Sequence, residues 1–325
     1  MHHPRKARFT LTIVTATLAT GIAALAANNP DKIVGSDACK ECHTAEHAGW
    51  LNTHHNKSLD ALREGQEVAD KLELGRTFRR DGFCIDCHTT AQTKEGKATP
   101  LSGVSCESCH GAAADWVKVH NDFGGEKVTK DQESAEHRAE RWKKAEAAGM
   151  IRPGRIDLVA GNCFSCHSVP NEKLVNVGGH KAGSDFELVS WSEGEVRHNY
   201  LVSKGQTNAA ATPERRRVKY VVGKLKDLEA GLRGLAKITD AAGAFATSFA
   251  ARTKAAKQAL TDINAKQPIP EVAEALGKLA GVSPDKAAGI ADQIAPLAAK
   301  VAANDGKGWA AIDGLIPTTP KGTAP

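Results

Sequence analysis

Two methionines, two tyrosines and 5% aromatic residues are all that this 325-residue chain contains of those types, and no cysteine lies outside a short repeated motif. With every cysteine so placed, a disulfide framework is excluded. No stripe of basic residues interleaved with aromatics occurs, which argues against nucleic-acid binding. Long apolar runs are absent except from Leu11 to Leu25, which is short and rich in Thr and Ala for a membrane span. Side chains alone offer the first half of the chain little material for a core.

What is present is the motif itself. Cys39-Cys42-His43, Cys84-Cys87-His88, Cys106-Cys109-His110 and Cys163-Cys166-His167 are four copies of C-x-x-C-H and use all eight cysteines. In this pattern two thiols add to the vinyl groups of haem and the adjacent histidine becomes an axial iron ligand. Zinc needs no histidine directly after each cysteine pair, and a redox dithiol would not recur four times outside a thioredoxin-like setting. The reading is therefore four covalently bound haem c groups, whose porphyrins supply the missing core.

Arg5, Lys6 and Arg8, the apolar run and the small-residue site Ala24-Leu25-Ala26 make residues 1–26 a secretory signal. Export to the periplasm agrees with the motifs, because haem is attached in this way outside the bacterial cytoplasmic membrane. Membrane association arises only if that segment is retained. Losing its three cations lowers the formal charge of +5, and roughly eight ionised propionates would turn the holoprotein mildly acidic.

Residues 31–200 hold every motif and form the expected tetrahaem domain, with one clear helix from Lys130 to Ala148 whose Trp142 could lie against a porphyrin. From 210 to 316 cysteine and histidine disappear. Thr212-Pro213 caps a helix with Val218, Val222, Leu225, Leu228, Leu232 and Leu235 on one face. Helical stretches at 241–263, 271–279 and 283–303 complete an expected antiparallel bundle. It could cover haem edges, dock a partner or support self-association. The run Arg215, Arg216, Arg217 and Lys219 reads as a solvated helix face, and residues 317–325 as a disordered tail. The fold class is thus mainly α, a haem-wrapped domain followed by a small helical bundle.

The sixth ligand of each iron separates a carrier from a reaction site. Once Met1 leaves, Met150 remains the only methionine, so histidine must complete most of the irons. His47, His54, His55, His120, His137, His180 and His198 lie outside the motifs and the signal. If the segment 112–119 is helical, His120 stands about 15 Å from His110 at 1.5 Å per residue and cannot bend around its own haem edge. His55, twelve residues after His43, meets the same obstacle. Exchange is the simplest solution, with His120 on the iron of His43 and His55 on that of His110; His54 is the alternative to His55. The same logic sends His180 to the second haem and His198 to the fourth, or the reverse if Gly178-Gly179 lets His180 return.

"CKECHTAEHAGWLNTHHNKS", "CIDCH" and "GVSCESCHG...VH" resemble the tetrahaem cytochrome c-554 family over residues 36–122. The resemblance implies a mainly helical fold, electron transfer between redox proteins, and haems 1 and 3, and 2 and 4, in close, nearly parallel pairs. It also implies His120 as ligand of haem 1, His55 as ligand of haem 3, and an open second haem. The sequence departs from the family before Cys163, where the histidine expected for haem 4 is missing. Two functional classes follow: a periplasmic carrier with four bis-histidine haems, or an oxidoreductase with one open haem acting on a small nitrogen or sulfur compound. No catalytic constellation remains once the haem ligands are assigned.

Overall fold

A computed structural model describes residues 29–80 and 82–322. The expected secretory signal lies outside the described residues. The first half is a succession of short helices: α1 (Ser36–Lys40), α2 (Thr44–Leu51), α3 (His54–Ala61), α4 (Gln66–Lys71) and α5 (Gly82–His88). An antiparallel hairpin, β1 (Thr90–Lys94) and β2 (Lys97–Ser102), comes next. It turns at Glu95-Gly96, both with positive φ, the backbone of a tight two-residue hairpin loop. Then come α6 (Cys106–His110), α7 (Ala135–Ala147), α8 (Ile156–His167), α9 (Glu172–Asn176) and α10 (Leu188–Ser192). Helices this short are unstable alone and depend on packing.

Two local expectations change. The helix foreseen from Lys130 begins at Ala135, where the Ser134 hydroxyl accepts the His137 N–H at 3.1 Å. Between Ala113 and His120 the chain makes only a turn, closed by Val117 N to Ala113 O at 2.8 Å and His120 N to Trp116 O at 2.9 Å. Trp142 lies between two guanidinium groups, Arg141 at 4.1 Å and Arg152 at 4.8 Å from its ring centre.

The second half is the bundle. Its helices are α11 (Pro213–Leu235), α12 (Ala244–Lys266), α13 (Pro270–Gly277) and α14 (Pro284–Ala302). Thr212 caps α11 and Pro213 opens it, as the sequence pattern requires. Val218, Val222, Leu225, Leu228 and Leu232 are buried in one cluster with Leu260, Ile263, Ile294 and Leu297. At Gly234 an added Cβ would stand 1.9 Å from the Phe249 ring, so only glycine lets α12 approach α11 this closely. Leu228 is fully buried, and Leu228→Ala is expected to cost about 2–5 kcal/mol, read as a lower denaturant midpoint.

The bundle core does not stop at residue 210. Ile156 and Ala160 of α8 are buried in the same cluster, with Cys163 packed against it. The fourth motif helix is thus seated on the bundle.

The basic run on α11 is also not a solvated face. Arg217 bonds Asp313 through Nε and Nη2 at 2.7 and 2.8 Å, and Lys219 reaches Glu193 at 2.7 Å. Arg215 and Arg216 donate to the carbonyls of Pro153 and Pro317. Sequence shows a cluster of cations but not the acceptors that a distant segment brings. Nor is the chain loose from residue 317. Lys321 N donates to Ser190 O and Lys321 O accepts from Glu195 N, both at 3.0 Å, which pins the stretch to 322 beside α10.

Candidate functional site: four histidine pairs

The spacing C-x-x-C-H puts the three reactive side chains at i, i+3 and i+4, one face of a helical turn. Each motif follows that geometry. His88, His110 and His167 are the last residues of α5, α6 and α8, and the turn after α1 carries His43, whose N–H bonds Cys39 O at 2.9 Å.

Each motif histidine faces a histidine from elsewhere in the chain. The ring centres are 6.4 Å apart for His43 and His120, 6.4 Å for His88 and His180, 6.0 Å for His110 and His198, and 6.0 Å for His55 and His167. Two imidazoles on one metal ion, each about 2 Å from it through nitrogen, have centres about 6 Å apart. All four pairs meet that requirement at once.

The exchange expected from spacing therefore changes in two of its terms. His120 stands opposite His43, and His180 opposite His88. His55 faces His167 rather than His110, and the place opposite His110 belongs to His198. Spacing limits how far a histidine reaches; the docking of its helix sets where it points. For α3 the docking is tight. An added Cβ on Gly103 would lie 2.3 Å from the carbonyl oxygens of both His55 and Asn56, so α3 lies directly against the strand leading into the third motif. Gly103→Ala must push that helix away; if His55 and His167 share one iron, the low-spin resonance of that haem should change.

His54 and His55 are now distinct. The Glu195 carboxylate accepts the His54 backbone N–H at 2.6 Å and its Nδ1–H at 2.7 Å, so His54 is engaged away from the pair. His137 donates Nδ1–H to Glu133 at 2.9 Å, and His47 sits edge-on to Trp50.

Five of the eight paired rings are oriented through Nδ1. Carbonyls accept Nδ1–H from His110 (Ile151), His120 (Val117), His180 (Lys181) and His198 (Val196) at 2.7–2.9 Å, leaving Nε2 as the lone-pair donor. His167 Nδ1 is 2.8 Å from the Ser184 hydroxyl. A metal-bound histidine is held in this manner. Burial pushes the imidazolium pKa of His110 and His167 down to about 4, which keeps both rings in the neutral, ligating form.

The thiols are strung in one order. Cys39 lies beside Cys106 and Cys87 beside Cys166, and the neighbouring thiol together with burial raises both Cys39 and Cys87. Cys109 lies close enough to Cys163 to raise it electrostatically, after burial, and the Asn162 amide ties the two helices by donating to Cys109 O at 3.0 Å. Motifs 1, 3, 4 and 2 are neighbours in that sequence.

Glu107, inside the third motif, carries no signal in the sequence that marks it. Its side chain is fully buried and accepts backbone N–H groups from Val34 and Ala113 on one oxygen and Gly35 on the other, at 2.8–3.0 Å. It thereby ties the entry to motif 1 to the segment leading to His120.

The residues fit haem. Besides the ring spacings, two buried nitrogens near the first pair, Trp116 Nε1 and His47 Nε2, make no hydrogen bond to the protein, the nearest carboxylate to His47 Nε2 being Asp37 at 4.0 Å. Trp116 packs edge-on against the His120 ring at 5.3 Å, and His47 lines a cavity of about 350 Å³ beside the first motif. Among the described residues no helix is long and apolar enough to cross a membrane.

A family model described as "Cytochrome c554 and c-prime" matches residues 38–111. The chain is similar to cytochrome c-554 of Nitrosomonas europaea, with 28% identity over 162 residues that cover 46% of this chain and 63% of the relative. It thus spans somewhat less than two thirds of that relative's length. No solved structure matches the chain. Through residues 38–111, the segment that carries its first three motifs, the chain is similar to the cytochrome c-554 family.

Proposed function

We propose that this chain is an exported tetrahaem c-type cytochrome that carries electrons between redox partner proteins. The observation that supports it most is the set of four histidine pairs, each joining one motif histidine to one histidine from outside the motifs at 6.0–6.4 Å. On this reading His43, His88, His110 and His167 are proximal ligands, and His120, His180, His198 and His55 are their distal partners. Cys39, Cys42, Cys84, Cys87, Cys106, Cys109, Cys163 and Cys166 hold the porphyrins through thioethers.

Bound haem supplies one-electron exchange between ferric and ferrous iron. The protein's part is to fix spacing, ligation and dielectric. With a histidine on both sides of every iron, no position is left for a substrate, so the carrier is favoured over the oxidoreductase. The order of neighbouring cysteines supports a series in which electrons pass from motif 1 through 3 and 4 to 2. The name of the Nitrosomonas europaea relative, a cytochrome, points the same way.

Intact-mass measurement of the mature protein should show four added haems. Electron paramagnetic resonance of the oxidised protein should show low-spin iron only, and cyanide should not bind. Three haems, or a high-spin signal with cyanide bound at the second haem, would replace this reading with the enzyme.

A further inference from the structure

The segment that presents His120 has no regular structure of its own. It is a single turn from Ala113, followed by an irregular path to Lys130. One turn is too little to hold a ligand in a defined orientation. What holds it comes from α7. Arg141 Nη1 donates to the His120 carbonyl. The same guanidinium gives Glu133 two parallel bonds, Nε to Oε1 and Nη2 to Oε2, both at 2.6 Å. Both residues are buried, Arg141 at 4% and Glu133 at 5% exposure. Phe123 and Trp142 flank the guanidinium at 5.1 and 4.1 Å, and His137 adds a third donor to Glu133.

We propose that Arg141, held by Glu133, is the positioning residue for the distal ligand of the first haem. A buried ion pair is weak evidence for stability, since an apolar pair of equal volume often serves as well. Its geometry explains it better. A fork bound to a carboxylate and stacked between rings has one orientation, and its remaining N–H is aimed at His120. With Val117 O on the Nδ1 side, the ligand is fixed through both its backbone and its ring. Glu133 offsets the Arg141 guanidinium charge beside the iron, and Arg138 Nε stands 3.6 Å from the same carboxylate. Bonds from Arg141 and His137 hold the Glu133 carboxyl down at about 2, so the clamp is intact at neutral pH and is lost only as pH falls toward that value.

The proposal rests on the reading that His120 ligates the iron of His43. The test uses the purified holoprotein with Arg141→Lys, Arg141→Met and Glu133→Gln. Arg141→Lys keeps the cation and loses the fork, and should alter the low-spin resonance of one haem and open that haem to cyanide, one equivalent per protein, while three remain unchanged. Glu133→Gln should do this more weakly and raise the reduction potential of the same haem, as an uncompensated cation favours ferrous iron. Arg217→Lys, at the fork that Arg217 makes with Asp313, should leave all four resonances unchanged. Should Arg141→Met not fold, Arg141→Lys carries the test. Unaltered resonance, potential and cyanide resistance in Arg141→Lys and Glu133→Gln would overturn the proposal, as would the same response from Arg217→Lys. If His120→Ala leaves the first haem low-spin, the ligand assignment fails instead.

Discussion

Alanine at Cys106 and Cys109 together is expected to remove one haem and to cut the electron path in two. Motif 3 stands between motif 1, through Cys106 beside Cys39, and motif 4, through Cys109 beside Cys163. Its loss leaves motif 1 on one side and motifs 4 and 2 on the other. It also strips the cover from a buried region, since Ala112, Ala113 and Glu107 are all enclosed there. The same change at Cys84 and Cys87 removes a haem from the end of the series and should leave the other three connected. Intact mass gives the haem count, and stopped-flow reduction separates the cases. The Cys106/Cys109 variant should split into a fast and a much slower population, whereas the Cys84/Cys87 variant should lose only the amplitude of one haem. A Cys106/Cys109 variant whose three haems still reduce together would refute the order 1, 3, 4, 2.

The second large effect is expected at Lys219. Lys219 and Glu193 are both buried residues, 8% and 6% exposed, and their charged groups meet at 2.7 Å. Burial lowers the Lys219 pKa, and Glu193 opposes that by stabilising the charge. Lys219→Met leaves the carboxylate buried without its cation, a change that costs about 3–5 kcal/mol. Glu193 also accepts the Ala211 N–H at 2.9 Å and follows α10, five residues before His198. The loss should therefore reach the haem of His110 as well as the bundle. Chemical denaturation should show a markedly lower midpoint for Lys219→Met, with much of it restored in Lys219→Met/Glu193→Gln, where the amide keeps an oxygen for Ala211 and carries no charge. An unchanged midpoint in the single variant would show the pair to be dispensable.

These two sites also separate what could be read along the chain from what could not. The haem motifs were legible because attachment is local: two thiols and an imidazole on one helical turn need no other segment. The bundle was legible for a similar reason. The repeat of Val218, Val222, Leu225, Leu228 and Leu232 is a property of a single helix, and Thr212-Pro213 marks its start whatever packs against it. The methionine count, by composition alone, directed the expectation for the sixth ligands to histidine.

Pairing is a different kind of fact. His55 and His198 were both visible as candidates, but their partners depend on how α3 and the stretch after α10 dock, and docking is decided by contacts between residues far apart in sequence. Gly103 admits α3 because it lacks a Cβ, and Glu195 takes His54 out of contention from 141 positions away. Arg217 and Lys219 looked like a solvated run because their carboxylates, Asp313 and Glu193, arrive from opposite directions along the chain. Local chemistry writes itself into neighbouring residues, whereas the direction of a ligand and the burial of a charge are set by the tertiary fold, where the energy of each group depends on partners that spacing does not encode.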